Sequence, residues 1–431
     1  MSITNIISAI GNNSSIYPLI VRDCGIEAPS KVYLTYQENK NDKDVAFLAT
    51  RERLIDEYAT SIVWLGGIPL VEKLVNKFII EKKGFNPNVN LKLFQNSDCQ
   101  GIDYNIKKFE GKVSKEIIDD LKKVRDNKGI YEKLLSTKFL AATAIPIAIM
   151  GFILPKMIFA LTAKTKAAQA KQNSQEKELP LTQPTSFTSS IKSDVFDKMS
   201  LKNKKQTSFT GNFSSTVANF TTYQKMATID GGYAVGRVAT SRKKNEAVDI
   251  AFKMSGMMFL NFVMPKYIEK FLDWTTGKAL DLNVKLDPLM LEDKEFLNEI
   301  KIGLNIPKGT SGKALLDFID KNPTSVFTKY AAKFEKVKLL PNGIRDPRAY
   351  VDIEELKKFK NSIEEFAKKA IQSADIEKFA KKAKVVKSVN ILTNVGLSSF
   401  LLAYCLPKVQ YAFREWYTGS KLEPGIVDDK Q

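Results

Sequence analysis

Four apolar segments interrupt an otherwise mixed, lysine-rich chain. They run ATSIVWLGGIPLV (59–71), FLAATAIPIAIMGFILPKMIFALTA (139–163), MSGMMFLNFVMPKYI (254–268) and SVNILTNVGLSSFLLAYCLPKVQYAF (388–413). Each carries a proline toward its C-terminal part: Pro69, Pro155, Pro265 and Pro407. The second is uncharged from Phe139 to Pro155, near the length that crosses a bilayer core. The fourth is uncharged from Ser388 to Pro407 but carries Asn390 and Asn394. The first and third are shorter, the range of core helices and of re-entrant or interfacial segments. We therefore expect membrane helices at the second and fourth segments first. The competing reading is the buried heart of a soluble bundle. Proline weighs against it, because proline is tolerated better in membrane helices than in soluble ones.

Between the second and third segments the pattern disappears. Residues 164–219 are rich in Ser, Thr, Gln, Lys and Asn, the composition of a disordered linker, and contain TSFT twice (185–188 and 207–210). Elsewhere the spacing is helical. In 352–370, Ile353, Leu356, Phe359, Ile363, Phe366 and Ala370 recur at steps of three and four opposite a Lys/Glu face. From Ser373 a capped helix start runs toward the fourth apolar segment, and shorter helices are expected at 114–126, 292–303 and 312–320. VNLKL (89–93) and LNVKLDP (282–288) read as short extended pieces.

The apolar segments also repeat. ILPKMIFAL (153–161) and CLPKVQYAF (405–413) share one phrase. Three further matches precede it in the same order: RDCGIEAPSKV (22–32) with IDGGYAVGRV (229–238), ATRERLIDEYA (49–59) with ATSRKKNEAVDIA (239–251), and VNLKL with LNVKL. Four colinear matches predict an internal duplication. The expected architecture is mostly α: a helical bundle of two tandem repeats of an antiparallel two-helix unit, giving four hydrophobic segments, with a disordered inter-repeat linker. An N-terminal tail (1–19) precedes repeat 1 (20–165, hydrophobic helices 51–80 and 132–163). A linker (166–226) leads to repeat 2 (227–416, hydrophobic helices 243–273 and 383–415, with a helical insert at 290–380), and a C-terminal tail (417–431) closes the chain. An even number of segments per unit makes this a parallel repeat rather than an inverted one.

Composition narrows the chemistry. Among 431 residues, 44% are hydrophobic and 26% charged, and the formal net charge is +18. The mean hydropathy of −0.20 is too polar for a chain lying mostly within a membrane. The positive charge favours anionic lipid headgroups or an acidic protein partner. Lysine is spread rather than focused on a recognised module, which disfavours nucleic acid. Histidine is absent, which removes Ser-His-Asp and Cys-His catalysis and His-ligated zinc. Three cysteines, Cys24, Cys99 and Cys405, form no CxxC pair and suit a reducing compartment. The N-terminus lacks the basic region of a cleaved signal peptide.

No motif carries catalysis. KGTSGKALL (308–316) has Pro307 and Ala314 where a phosphate loop needs Gly and Ser/Thr, so it reads as a turn before a helix. Gly231, Gly232 and Gly236 lack GxGxxG spacing and read as turn glycines. The interaction or structural candidates are Asp23 with Lys31 and Asp230 with Arg237, which occupy equivalent places in the two halves, together with Gly232. Pro155–Lys156 and Pro407–Lys408 read as helix-end devices whose lysines reach headgroup level. Asn390 and Asn394, with Asn261, line a pathway only if they converge. Neither a metal site nor a cofactor is expected.

KVYLTY, ATRERLIDEYATSIVWLGGIP and DGGYAVGRVATSR, the starts of the two repeats, resemble uncharacterised bacterial membrane-associated proteins of no assigned function. The resemblance implies no activity and no site residue. The expectation is a non-enzymatic protein of a bacterial membrane with a structural, lipid-binding or partner-binding role. The alternatives are a small transporter or channel with a pathway at the repeat interface, and a soluble all-α interaction protein.

Overall fold

A computed structural model describes residues 3–11, 19–95, 98–175, 216, 218, 220, 222–280 and 284–427. These are mostly helical; among them no strand forms, and a single bridge pairs Leu339 with Arg345. Most of the linker, with both TSFT sequences, lies outside the described residues.

The chain begins with α1 (Ile3–Gly11) and α2 (Ala28–Asn39), the latter entered through a π-turn at Ile20–Glu27. α3 (Lys43–Ile62), capped by the Asp42 carboxylate on Asp44 N–H and Val45 N–H, continues through a π-turn at Val63–Gly67 into α4 (Ile68–Val75). α5 (Ile102–Phe109) and α6 (Lys115–Asp126) precede a long helix made of α7 (Lys128–Ile147), a π-turn at Ala148–Ile153 and α8 (Leu154–Gln175). α9 (Thr222–Ala239) turns into α10 (Lys244–Phe262) and α11 (Met264–Leu280). Four shorter helices follow: α12 (Pro288–Glu292), α13 (Lys294–Ile302), α14 (Gly312–Lys321) and α15 (Val326–Lys333). α16 (Ile353–Gln372) leads to the last long helix, formed by α17 (Ile376–Phe400), a π-turn at Leu401–Cys405 and α18 (Leu406–Thr418).

A proline follows each of these four π-turns, while a fifth, at Asn76–Ile80, has none. Proline has no N–H to donate, and its ring collides with the carbonyl four residues back. A turn bonded five residues back moves that carbonyl aside. The residue before each proline donates in that way: Ala28 to Asp23 before Pro29, Ile68 to Val63 before Pro69, Leu154 to Ile149 before Pro155, and Leu406 to Leu401 before Pro407. The Leu-Pro-Lys phrases therefore mark mid-helix π-turns. They are not helix ends, since the helices continue to Gln175 and Thr418.

Three helices are long and apolar enough to cross a membrane: Lys128–Gln169, Lys244–Gly277 and Ile376–Thr418. The helix through 59–71 is not among them. The hydrophobic helices pair antiparallel within each half of the chain, α3 on α8 and α4 on α7, then α10 on α18 and α11 on α17. The leading helices cross over: α9 packs on α7 and its π-turn, while α2 and its π-turn pack against the π-turn at Leu401–Cys405.

The polar connections form cores of their own. Residues 80–134 enclose Phe85, Leu93, Phe109, Leu121 and Tyr131, and residues 284–383 enclose Phe296, Phe327, Leu356, Phe359 and Phe366. The two dock through Gln100, whose amide bonds both the N–H and C=O of Val351 (2.9 and 2.8 Å), and through Asn105 Nδ2 on the Pro347 carbonyl (2.9 Å).

The α16 stripe and the three short helices lie where the periodicity places them. Two other expectations fail. VNLKL is a 3₁₀ turn at Leu91–Phe94, because Asn90 caps Lys92 N–H and starts a turn. The glycines of IDGGYAVGRV lie inside α9, where they permit close packing. Residues 3–11 are helical and packed on α17, with the Ser8 hydroxyl bonded to Asp287 (2.9 Å), and Ile426 near the C-terminus is buried against Leu48 and Ala49.

Candidate functional site

Five helices carry polar stripes that face inward. On α2 and its π-turn the stripe is Glu27, Lys31, Thr35 and Asn39, four residues apart each time; on α3 it is Glu52, Arg53, Asp56 and Glu57. α9 contributes Asp230, Tyr233 and Arg237, α10 Glu246, Asp249, Lys253 and Asn261, and α18 Gln410, Tyr411 and Arg414. Apolar residues occupy outer faces of the same helices: Tyr33, Tyr36, Phe47, Leu54, Ile62 and Phe259 are exposed. This inverts the usual soluble amphipathic pattern.

Buried charge is tolerated only when paired, and the stripes pair across helices. Glu57 receives Lys31 (3.3 Å), Arg53 (3.3 Å) and Lys253 (3.4 Å), while Lys31 also reaches Glu27 (2.9 Å). Arg237 donates to Asp56 (3.1 Å). Arg242 forks onto Glu52 at 2.9 and 3.0 Å, and its guanidinium lies 4.1 Å from the Phe159 ring centre. The Thr35 and Tyr411 hydroxyls are 2.9 Å apart, joining α2 to α18. Burial opposes the charge on Lys31, but Glu57 and Glu27 outweigh it and raise its pKa above the usual lysine range.

Beside this network is a cavity of about 160 Å³ between the Ile20–Glu27 turn, α2, α3, α9 and α10. Its charged lining comprises Arg22, Asp23, Glu27, Lys31, Asp56, Glu57, Asp230 and Lys253, and Trp64, Tyr233, Phe262 and Met254 supply apolar wall. Trp64 Nε1–H donates to Asp230 Oδ1 (3.0 Å). Burial pushes the Asp230 carboxyl up to about 6; the Trp64 N–H and the Arg22 guanidinium oppose the shift, and Asp23 reinforces it. Four buried oxygens on the lining residues have no hydrogen-bond partner: Glu27 Oε1, Asp56 Oδ1, Thr60 Oγ1 and Asn261 Oδ1. A smaller cavity of about 40 Å³ adjoins it and shares Asp56, Lys253 and Met254.

The structure brings Asp23, Lys31 and Asp230 to the cavity wall, and Arg237 pairs with Asp56 just behind it. Gly232 serves packing: a Cβ there would collide with Ile147 of α7. Pro155 and Pro407 are buried, Lys156 is exposed, and Lys408 pairs with Glu38. Asn390 bonds Thr276 (3.3 Å) and Asn394 accepts from Ser398, so neither joins Asn261 at the cavity. Asp56, Glu57, Asp249, Lys253, Arg414 and Glu423 were not singled out from the sequence. The signal was present in the helical spacing of charges opposite apolar residues, but Lys/Glu runs ordinarily mark a solvated face.

No family model matches this chain, and neither a curated protein nor a solved structure matches it.

Proposed function

We propose that this chain is a non-enzymatic, membrane-embedded helical protein of a bacterial membrane with a structural, lipid-binding or partner-binding role. One observation carries the reading. The apolar windows of the three long helices are only 28, 22 and 28% buried within the chain. Ile153, Met157, Phe271, Trp274, Val389 and Phe400 all stand exposed. Leaving such side chains in water forgoes about 1.5–3 kcal/mol each, so a soluble bundle is the poorer reading and a hydrocarbon environment the better one. The net positive charge then suits anionic headgroups or an acidic partner.

The duplication belongs to the same proposal. Each leading helix packs on the last long helix of the other half, and each half pairs its own hydrophobic helices antiparallel. Burial follows the Leu-Pro-Lys register as well: Met150, Gly151, Leu154, Pro155, Ile158 and Thr162 are buried, as are Leu402, Ala403, Leu406, Pro407, Gln410 and Arg414. The transporter reading takes no support from Asn390, which bonds Thr276 on α11, or from Asn394, which accepts from Ser398 one turn on.

Alkaline carbonate washing of membranes from cells making the full chain tests membrane embedding. Retention in the pellet is expected, and release into the supernatant overturns the reading.

A further inference from the structure

We propose that the cavity between α2, α3, α9 and α10 is a binding site for a small organic ammonium ion, whose N–H groups are received by Asp230, Asp56 and Asn261. The lining sets the ligand's chemistry. The cavity's charged donors are already engaged: Arg22 on Asp23 (2.8 Å) and Glu27 (3.1 Å), Lys31 on Glu27 and Glu57, and Lys253 on Glu57. The lining oxygens without hydrogen-bond partners, on Glu27, Asp56, Thr60 and Asn261, can all accept, and only the Thr60 hydroxyl can also donate. Asp56 is only 6% exposed and bonds Arg237 through Oδ2, leaving Oδ1 without a partner; the partly buried Asn261 also has its Oδ1 without one. A buried acceptor without a donor is costly, and a ligand rich in N–H groups satisfies it.

The surroundings of Asp230 point the same way. Asp230 faces the cavity with the Trp64 N–H as its hydrogen-bond donor, and the neighbouring Asp23 is committed to Arg22. Its carboxyl is held toward the neutral form, the signature of a buried acid without enough counter-charge. A cation next to it removes that deficit.

Size and wall separate an organic ammonium from a bare metal ion. A volume of about 160 Å³ is similar to an engineered cavity that holds benzene, a six-carbon ring. Trp64, Tyr233 and Phe262 line it, and aromatic faces attract organic cations. A metal ion would instead require a tight cage of oxygens.

The test uses the full chain in detergent micelles at pH 7.5, titrated by calorimetry with benzylammonium chloride. Benzyl alcohol, sodium benzoate and sodium chloride serve as comparisons at matched ionic strength. Saturable 1:1 binding of benzylammonium is expected, at least tenfold tighter than benzyl alcohol or benzoate, with a rise in melting temperature that sodium chloride does not reproduce. Asp230→Asn keeps an acceptor for the Trp64 N–H and should fold; it should weaken benzylammonium at least tenfold. Asn261→Ala, which leaves every ion pair intact, should weaken it severalfold. Asp103→Asn, on the exposed side of α5, should bind as the parent does. Equal affinity for benzyl alcohol or benzoate, equal stabilisation by sodium chloride, no detectable binding, or parental affinity in folded Asp230→Asn each overturns the proposal.

Discussion

Arg414 grips Asp249 through two parallel bonds, Nε to Oδ1 at 3.0 Å and Nη2 to Oδ2 at 2.7 Å, with both side chains buried. Its Nη1 reaches Glu423 Oε2 at 2.7 Å, so one guanidinium ties α18, α10 and the C-terminal segment together. Forked pairing is the geometry that arginine supplies and lysine does not.

Arg414→Leu removes the counter-charge shared by the buried Asp249 carboxylate and the partly buried Glu423 carboxylate. Breaking a buried pair from one side costs about 3–5 kcal/mol, so a large fall in melting temperature is expected. Asp249→Leu combined with Arg414→Leu should recover part of the loss. A melt of the single variant that overlays the parent contradicts the network described here.

Gly236 of α9 and Gly151 of the π-turn between α7 and α8 let two backbones touch. A Cβ at 236 would lie 2.8 Å from Gly151 Cα, and backbone cannot swing away as a side-chain tip can. The Thr240 hydroxyl donates to the Gly151 carbonyl (3.1 Å) at the same crossing, the small-residue packing that membrane helices use. Gly236→Ala should therefore lower the melting temperature by several degrees. Gly231→Ala is the comparison, because its Cβ would meet only Met258 Cε at 3.9 Å. Alanine is the better helix former by about 1 kcal/mol, so Gly231→Ala should hold or raise the melt. If both variants behave alike, the close approach is not what selects glycine at 236.

These glycines also show where sequence reasoning stops. A run such as IDGGYAVGRV has the composition of a turn; in the helix its Gly232 and Gly236 face a partner surface some 85 residues away in sequence (Gly151 to Gly236) that leaves no room for a side chain. The α16 stripe was legible because its period alone separates core from solvent. The Leu-Pro-Lys phrase located two of the π-turns without revealing them, because a proline inside a continuing helix does not by itself make one: Pro146 lies within α7 without it. In the site, Asp23, Lys31 and Asp230 were visible as matched positions. Asp56, Glu57 and Lys253 were not, because whether a charge is solvated or paired inside depends on neighbours that local sequence does not name.

Gln100 is the amide that ties the two polar connections together at Val351, beside the Asn105–Pro347 bond. Gln100 is 1% exposed and completes both backbone bonds of Val351, as a strand neighbour would. Gln100→Ala leaves a buried N–H and a buried C=O unpaired. At about 1–3 kcal/mol for each such group, a loss of about 2–4 kcal/mol is expected, with faster amide exchange around Val351. Unchanged exchange there would show that water replaces the side chain at little cost.

Asp230 gives the chain a pH dependence whose sign is fixed by burial. The folded carboxyl holds its proton up to about 6, against 3.8 in the unfolded chain. Between those values the folded state binds more protons, so this group's contribution is fully present below about pH 4 and is lost as pH rises through 6. The gap corresponds to at most about 3 kcal/mol. Asp230→Asn keeps the Trp64 bond and removes the titration. Its stability relative to the parent should thus be smallest near pH 4, increase through pH 5–6 and level off above about 7. The difference is the measurement that matters, because the other titrating groups contribute to both proteins and cancel. Melts at matched ionic strength from pH 4 to 8 provide it, and a difference that stays constant across the range would show that Asp230 is ionised throughout and already has its counter-charge.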